Sequence, residues 1–117
     1  MIHLKRVYEP ASTDDGFRIL VERLWPRGLS KSRAQVDLWL KEIAPSPQLR
    51  TWYGHELTKW EEFQRRYRAE LQTNAAVGQL QQLQHDKQII TFVYAARDTE
   101  HNSAWVLKAF LEEYPHA

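Results

Sequence analysis

The stretch Ile89-Ile90-Thr91-Phe92-Val93-Tyr94-Ala95-Ala96-Arg97-Asp98-Thr99-Glu100-His101-Asn102 constrains this chain more than any other. A run of β-branched and aromatic residues stops abruptly at polar, chemically capable side chains, and a helical pattern follows. This reads as a buried strand, a short loop and a helix N-terminus. Open α/β sheets place ligands at the carboxyl ends of such strands. The first turn of a helix also offers unpaired N–H groups and partial positive charge to an anion. A site is therefore expected where the apolar run ends.

The remaining elements can be read around this strand. Residues 2–8 alternate loosely as a strand, and Asp14-Asp15-Gly16 signals a turn. Residues 17–25 form a better strand, with Ile19, Val21 and Arg23 on one face. Trp25-Pro26-Arg27-Gly28 ends it, because proline cannot donate to a central ladder. Ser30 caps a short helix to about Gln35. Residues 36–43 match both periods, and the reading leans to a strand or extended segment. Ser46-Pro47 opens a helix that runs to Tyr53 and is closed by Gly54.

Residues 58–72 carry the stripe Trp60, Phe63, Tyr67 and Leu71, with a near capping box from Thr58 to Glu61. Asn74 caps the next helix, whose inward residues are Val77, Leu80 and Leu83. After the strand at residues 88–95, Asp98 or Thr99 caps a last helix with the stripe Ala104, Leu107, Leu111 and Tyr114. Two helices before the strand and one after it imply a single small three-layer α/β domain over residues 1–117, its partly parallel sheet flanked by helices.

Composition narrows the function. A length of 117 residues suits one core, and the absence of cysteine excludes disulfides, thiol catalysis and cysteine-ligated zinc. No segment resembles a signal peptide or a bilayer span, so a cytoplasmic protein without membrane attachment is expected. A net charge of +1 argues against a broad grip on a nucleic-acid backbone. Yet Lys5, Arg6, Arg18, Arg23, Arg27, Lys31 and Arg33 crowd the first third, which leaves room for a local basic pocket. There are only four glycines, and GxGxxG, GxxxxGK[ST], GxSxG and HExxH are all missing. The cofactor stays open, no metal motif is present, His55 and His101 with Asp98 being too widely separated to favour one, and no signal bears on oligomeric state.

Three clusters could carry chemistry. In the first, His101 lies in the first turn of the last helix, where an imidazole can act as general base with Asp98 to orient it. Arg97 can fork onto a phosphate or carboxylate, and Tyr94 and Asn102 flank them. Capping alone would explain Asp98. The second cluster is Glu22, Arg23, Trp25, Arg27 and Gly28. Arg23 should enter a crevice or pair with Asp37 or Asp98, while the Pro-Arg-Gly turn aims Arg27 at an anion. The third is Trp52, Tyr53, Gly54 and His55 with Trp60, Arg66 and Tyr67. It reads first as a core aromatic group beside a turn histidine, with indole surface for a planar ligand as the alternative.

These residues also carry a resemblance. Arg6-Val7-Tyr8, Leu24-Trp25-Pro26-Arg27-Gly28-Leu29-Ser30-Lys31, Leu38-Trp39-Leu40-Lys41, Ala44-Pro45-Ser46, Trp52-Tyr53-Gly54-His55, Trp60, Phe63, Arg66-Tyr67 and Tyr94-Ala95-Ala96-Arg97-Asp98 through His101-Asn102 resemble the YeaO-like family, a branch of the domain-of-unknown-function 488 proteins. The resemblance spans nearly the whole chain. It implies a small bacterial or archaeal α/β protein without an assigned reaction. Distant relatives carry a cysteine near this strand end, where Ala95 and Ala96 stand here, so thiol chemistry does not carry over.

The leading expectation is a pocket for a small anionic molecule, such as a nucleotide or phosphorylated metabolite. Arg23, Trp25, Arg27, Trp52, His55, Arg66, Tyr94, Arg97 and Asn102 would bind it, and His101 with Asp98 would be the acid–base pair of any catalysis. The alternatives are a single-stranded nucleic-acid binder, disfavoured by charge, that stacks bases on Trp25 and Trp52, and a protein-interaction module with tryptophan anchors.

Overall fold

A computed structural model describes residues 1–113, so Tyr114 of the expected last stripe lies outside the described residues. The apolar run forms the centre of a sheet of β1 (Ile2–Arg6), β2 (Phe17–Leu20), β3 (Leu38–Trp39) and β4 (Ile90–Tyr94). The order is β1-β4-β2-β3, and every pairing is parallel. The sheet expected to be partly parallel is thus parallel throughout the described residues. β4 has a neighbour on each side and all five of its residues are buried, which is why it reads as continuously apolar.

All four strands are shorter than their patterns, the second and third most of all. β2 ends at Leu20 rather than Trp25, although the Val21 N–H still donates to the Val93 carbonyl at 3.3 Å. One residue on, the Glu22 carboxylate takes the Ala95 N–H, so a side chain replaces the ladder carbonyl and the strands part. In the 36–43 segment only Leu38–Trp39 is strand. The Leu40 N–H donates to the Leu20 carbonyl, β2 offers nothing further, and Lys41–Ile43 coils into a 3₁₀ turn.

The helices are α1 (Lys31–Ala34), α2 (Pro47–Tyr53), α3 (Trp60–Gln72), α4 (Ala76–Asp86) and α5 (Ser103–Glu113). α2 to α5 cover one face of the sheet. Leu49, Phe63, Tyr67, Leu80 and Leu107 pack there with Ile19, Ile90 and Phe92. The other face has a smaller cover: Val7, Leu20, Ala34 and Val93 with Trp25, Val36 and Trp39. The third layer is therefore one short helix and its flanking loops. Among the described residues no helix is long and apolar enough to cross a membrane.

That second face also holds a buried ion pair. Arg18, 3% exposed, donates to Asp15 at 2.5 Å and to the Ala34 and Gln35 carbonyls, while Lys5 approaches Asp15 at 3.2 Å. Gly16 beside it has φ +64, and a Cβ there would lie 2.4 Å from the Ile89 carbonyl oxygen, so no other residue fits.

The helix starts follow their sequence signals unevenly. Ser30 and Ser46 cap α1 and α2 as expected, and Gly54 closes α2 in the left-handed region. Thr58 does not cap α3. It sits inside the 3₁₀ turn Leu57–Lys59, which feeds α3 without a side-chain cap. Neither Asp98 nor Thr99 caps α5. Asp98 instead accepts the N–H groups of Glu100 and His101 in a local turn, and Asn102 accepts from the Trp105 N–H at 2.9 Å. His101 consequently precedes α5 rather than lying in its first turn.

Candidate functional site

In a parallel sheet all strands deliver their following loops to the same edge. Here those loops enclose a cleft of about 650 Å³ at the carboxyl ends of the strands. That size suits a small-molecule ligand. Tyr8 enters after β1, and Glu22, Trp25 and Arg27 after β2. Arg50 and Tyr53 come from α2, His55 from the turn beyond it, and Ala95, His101, Asn102 and Ser103 from the segment between β4 and α5.

The wall after β2 is pinned by two hydrogen bonds. The Tyr8 hydroxyl donates to the Arg27 carbonyl at 2.9 Å, and the Trp25 indole N–H donates to the Leu29 carbonyl at 2.6 Å. Trp25 also meets Trp39 edge-on at 5.4 Å. The Arg27 guanidinium is left with no hydrogen bond or ion pair among the described residues. The exposed Arg50 lacks one as well, although its charge reaches Glu22.

Glu22 sits half-buried at the strand ends. Burial pushes its carboxyl above the ordinary range, against the pull of the Ala95 N–H and the positive charges of Arg50 and His55. Tyr53 is 5% exposed and stacks on Phe63 with ring centroids 4.4 Å apart. Its hydroxyl is buried without any hydrogen-bond partner among the described residues. Burial, with the negative charge of Asp98, pushes this phenol up as well. A buried hydroxyl left unpaired costs about 1–3 kcal/mol. Next to it, His55 follows Gly54 into left-handed backbone at φ +58, a conformation that disfavours a residue with a Cβ.

His101 reaches the cleft from the opposite side. Its Nδ1 lies 3.0 Å from an Asp98 carboxylate oxygen, and its ring meets the edge of Trp60 at 5.2 Å. The N–H groups of Glu100 and His101 hold the Asp98 carboxyl below the usual carboxylate range. His101 thus lines the cleft, with the Asp98 carboxylate outside the wall and hydrogen-bonded to its ring.

Of the residues expected to bind the ligand or to act in catalysis, the structure brings together Trp25, Arg27, His55, His101 and Asn102. The Asn102 amide is already committed: it donates to the Asp98 carbonyl and accepts from Trp105. The others lie outside the cleft wall. Arg23 meets no carboxylate but donates to the Ala44 and Pro45 carbonyls, clamping the segment before α2. Trp52 has Arg66 over its ring at 4.2 Å and Lys59 at 5.0 Å, and Arg66 also pairs with Glu62. Tyr94 is buried in the core. Arg97 is exposed on the loop after β4.

Arg50 in the wall belonged to none of the three clusters, while Glu22 and Tyr53 stood in the second and third without being assigned to the ligand. Glu22 was visible as a charge at a strand end, and Tyr53 as the residue before a helix-ending glycine. Arg50 carried no signal beyond being a cation on a short helix. His55, Asp98 and His101 do not converge as a metal site would require, and no group of three His, Asp or Glu among the described residues does.

All of the chain, residues 1–117, matches the family described as the inactive DUF488-N3 subclade. The uncharacterised protein YeaO of Escherichia coli (strain K12) is 43% identical over 110 residues, covering 94% of this chain and 96% of YeaO. An uncharacterised protein of Mycobacterium tuberculosis (strain ATCC 25618 / H37Rv) is 40% identical over 110 residues, covering 94% of this chain and 92% of that one. No solved structure matches the chain.

Proposed function

This chain belongs to the inactive DUF488-N3 subclade, and within that family we propose that it is a binding domain for a small anionic molecule, a nucleotide or phosphorylated metabolite, held in the cleft at the sheet's carboxyl edge. The observation that carries this reading is the pair Arg27 and Arg50, both exposed at the cleft rim with no hydrogen bond or ion pair among the described residues. Their guanidinium groups supply the positive charge for an anion. The cytoplasmic location expected from composition belongs to the same proposal.

Binding without turnover fits the strand end, where Ala95 and Ala96 offer no nucleophile, and it fits the subclade's description as inactive. The His101–Asp98 pair supports a second reading, acid–base catalysis on the bound ligand. Single-stranded nucleic acid has less support, because Trp52, one of its two expected stacking platforms, is occupied by Arg66 and Lys59.

A thermal-shift screen against nucleotides, sugar phosphates and inorganic phosphate tests the proposal. A compound that raises the melting temperature of wild type, but not of Arg27→Ala/Arg50→Ala, supports it. If turnover of that compound is seen and is lost in His101→Ala while binding persists, the catalytic reading gains. A wild type unmoved by the whole panel overturns both.

A further inference from the structure

The proposed cleft is electrically two-ended, and this inference rests on that reading. Arg27 and Arg50 stand exposed at its rim, whereas Glu22 sits half-buried at the strand ends. An anionic group placed beside Glu22 would meet a carboxylate, so the anion belongs at the rim. One Glu22 oxygen, Oε2, accepts the Ala95 N–H at 2.8 Å, and Oε1 has no partner among the described residues. A carboxylate has about four acceptor positions and no donor. Whatever part of a ligand reaches Glu22 must therefore present N–H or O–H groups.

Aromatic side chains also line the cleft: Tyr53 and Phe63 are buried and stacked on each other, while Tyr8 is exposed and Trp25 half-buried. Flat rings favour a planar head group. From this arrangement we infer that the ligand is a guanine nucleotide, its phosphate on Arg27 and Arg50 and the adjacent N1–H and N2–H donors of the base on the Glu22 carboxylate. Adenine presents an acceptor at N1 and cannot make this pair, and hypoxanthine supplies only one of the two donors.

Isothermal titration with GMP, IMP, AMP and inorganic phosphate tests this on wild type, Glu22→Gln and Arg27→Ala/Arg50→Ala. Glu22→Gln keeps an oxygen for the Ala95 N–H, and its far-ultraviolet circular dichroism and melting curve would establish that it folds. Wild type is expected to bind GMP at least about tenfold more tightly than IMP or AMP, as a charge-assisted hydrogen bond allows. Glu22→Gln should lose that preference while still binding nucleotides, and the double arginine variant should lose affinity for all three. Nucleotides bound equally by wild type, with Glu22→Gln unchanged, would overturn the guanine assignment and leave the cleft proposal standing. Binding of none of the four to wild type would overturn the assignment outright. The broader panel of sugar phosphates then decides whether the cleft proposal falls with it.

Discussion

The Glu22 carboxylate accepts the Ala95 backbone N–H at 2.8 Å, bridging the carboxyl ends of two neighbouring strands. This contact both ends the β2–β4 ladder and places an acid in the cleft. Burial raises the Glu22 pKa above its ordinary 4.5. A carboxyl raised in the folded state favours folding at low pH and loses that contribution as pH rises from 4.5 through the folded value. Glu22→Gln is therefore expected to melt at least as high as wild type at neutral pH. The advantage should vanish below pH 4.5, and melting curves across pH 4 to 8 measure it.

Asp15 and Arg18 behave in the opposite sense. Burial pushes the Asp15 carboxyl up, but the Ser12 N–H, Lys5 and Arg18 together outweigh it and hold the group below 3.8. Its stabilising contribution is present above 3.8 and is lost as pH falls through the folded value. Asp15→Asn strands the buried Arg18 without its counter-charge and is expected to cost about 3–5 kcal/mol at neutral pH. Urea denaturation checks this, and Asp15→Asn/Arg18→Met should recover part of the loss.

Tyr53→Phe separates stability from binding. Deleting an unpaired buried hydroxyl is expected to raise stability by about 1 kcal/mol, read from denaturant midpoints of the ligand-free protein. Ligand affinity should not change, because a hydroxyl with no accessible surface does not meet a ligand in the cleft. A destabilised variant would mean that the hydroxyl is already satisfied in the folded protein.

Gly16→Ala is expected to cost more than about 2 kcal/mol, because φ is +64 and the new Cβ would collide with Ile89 backbone that cannot yield. Thermal or chemical denaturation reads this directly.

Much of the fold was legible because it rests on local physics. Ile90 to Tyr94 could be read as a buried strand from its unbroken apolar character, and Ser46-Pro47 with Gly54 marked both ends of α2. What escaped depends on partners far away in sequence. Arg23 shares the core face of Ile19, yet its guanidinium goes to carbonyls at positions 44 and 45, which no pattern announces. Asp98 has the chemistry of a helix cap, but Asn102 four residues later takes that role and leaves Asp98 to hold a turn. The position of the cleft at the end of β4 followed from the α/β rule. Its lining followed only in part, because Arg50 is brought there only by the packing of α2. Tyr53 is indistinguishable in sequence from any core aromatic, and only its unpaired hydroxyl sets it apart.

The central claim is that the cleft binds a small anionic molecule through Arg27 and Arg50. Isothermal titration of nucleoside monophosphates and sugar phosphates into wild type and Arg27→Ala/Arg50→Ala tests it most directly. The expected result is saturable one-to-one binding of at least one compound to wild type, weakened at least about tenfold in the variant, since each charge-assisted contact is worth about 1.5–3 kcal/mol. No binding to wild type, or equal binding to both proteins, would contradict it.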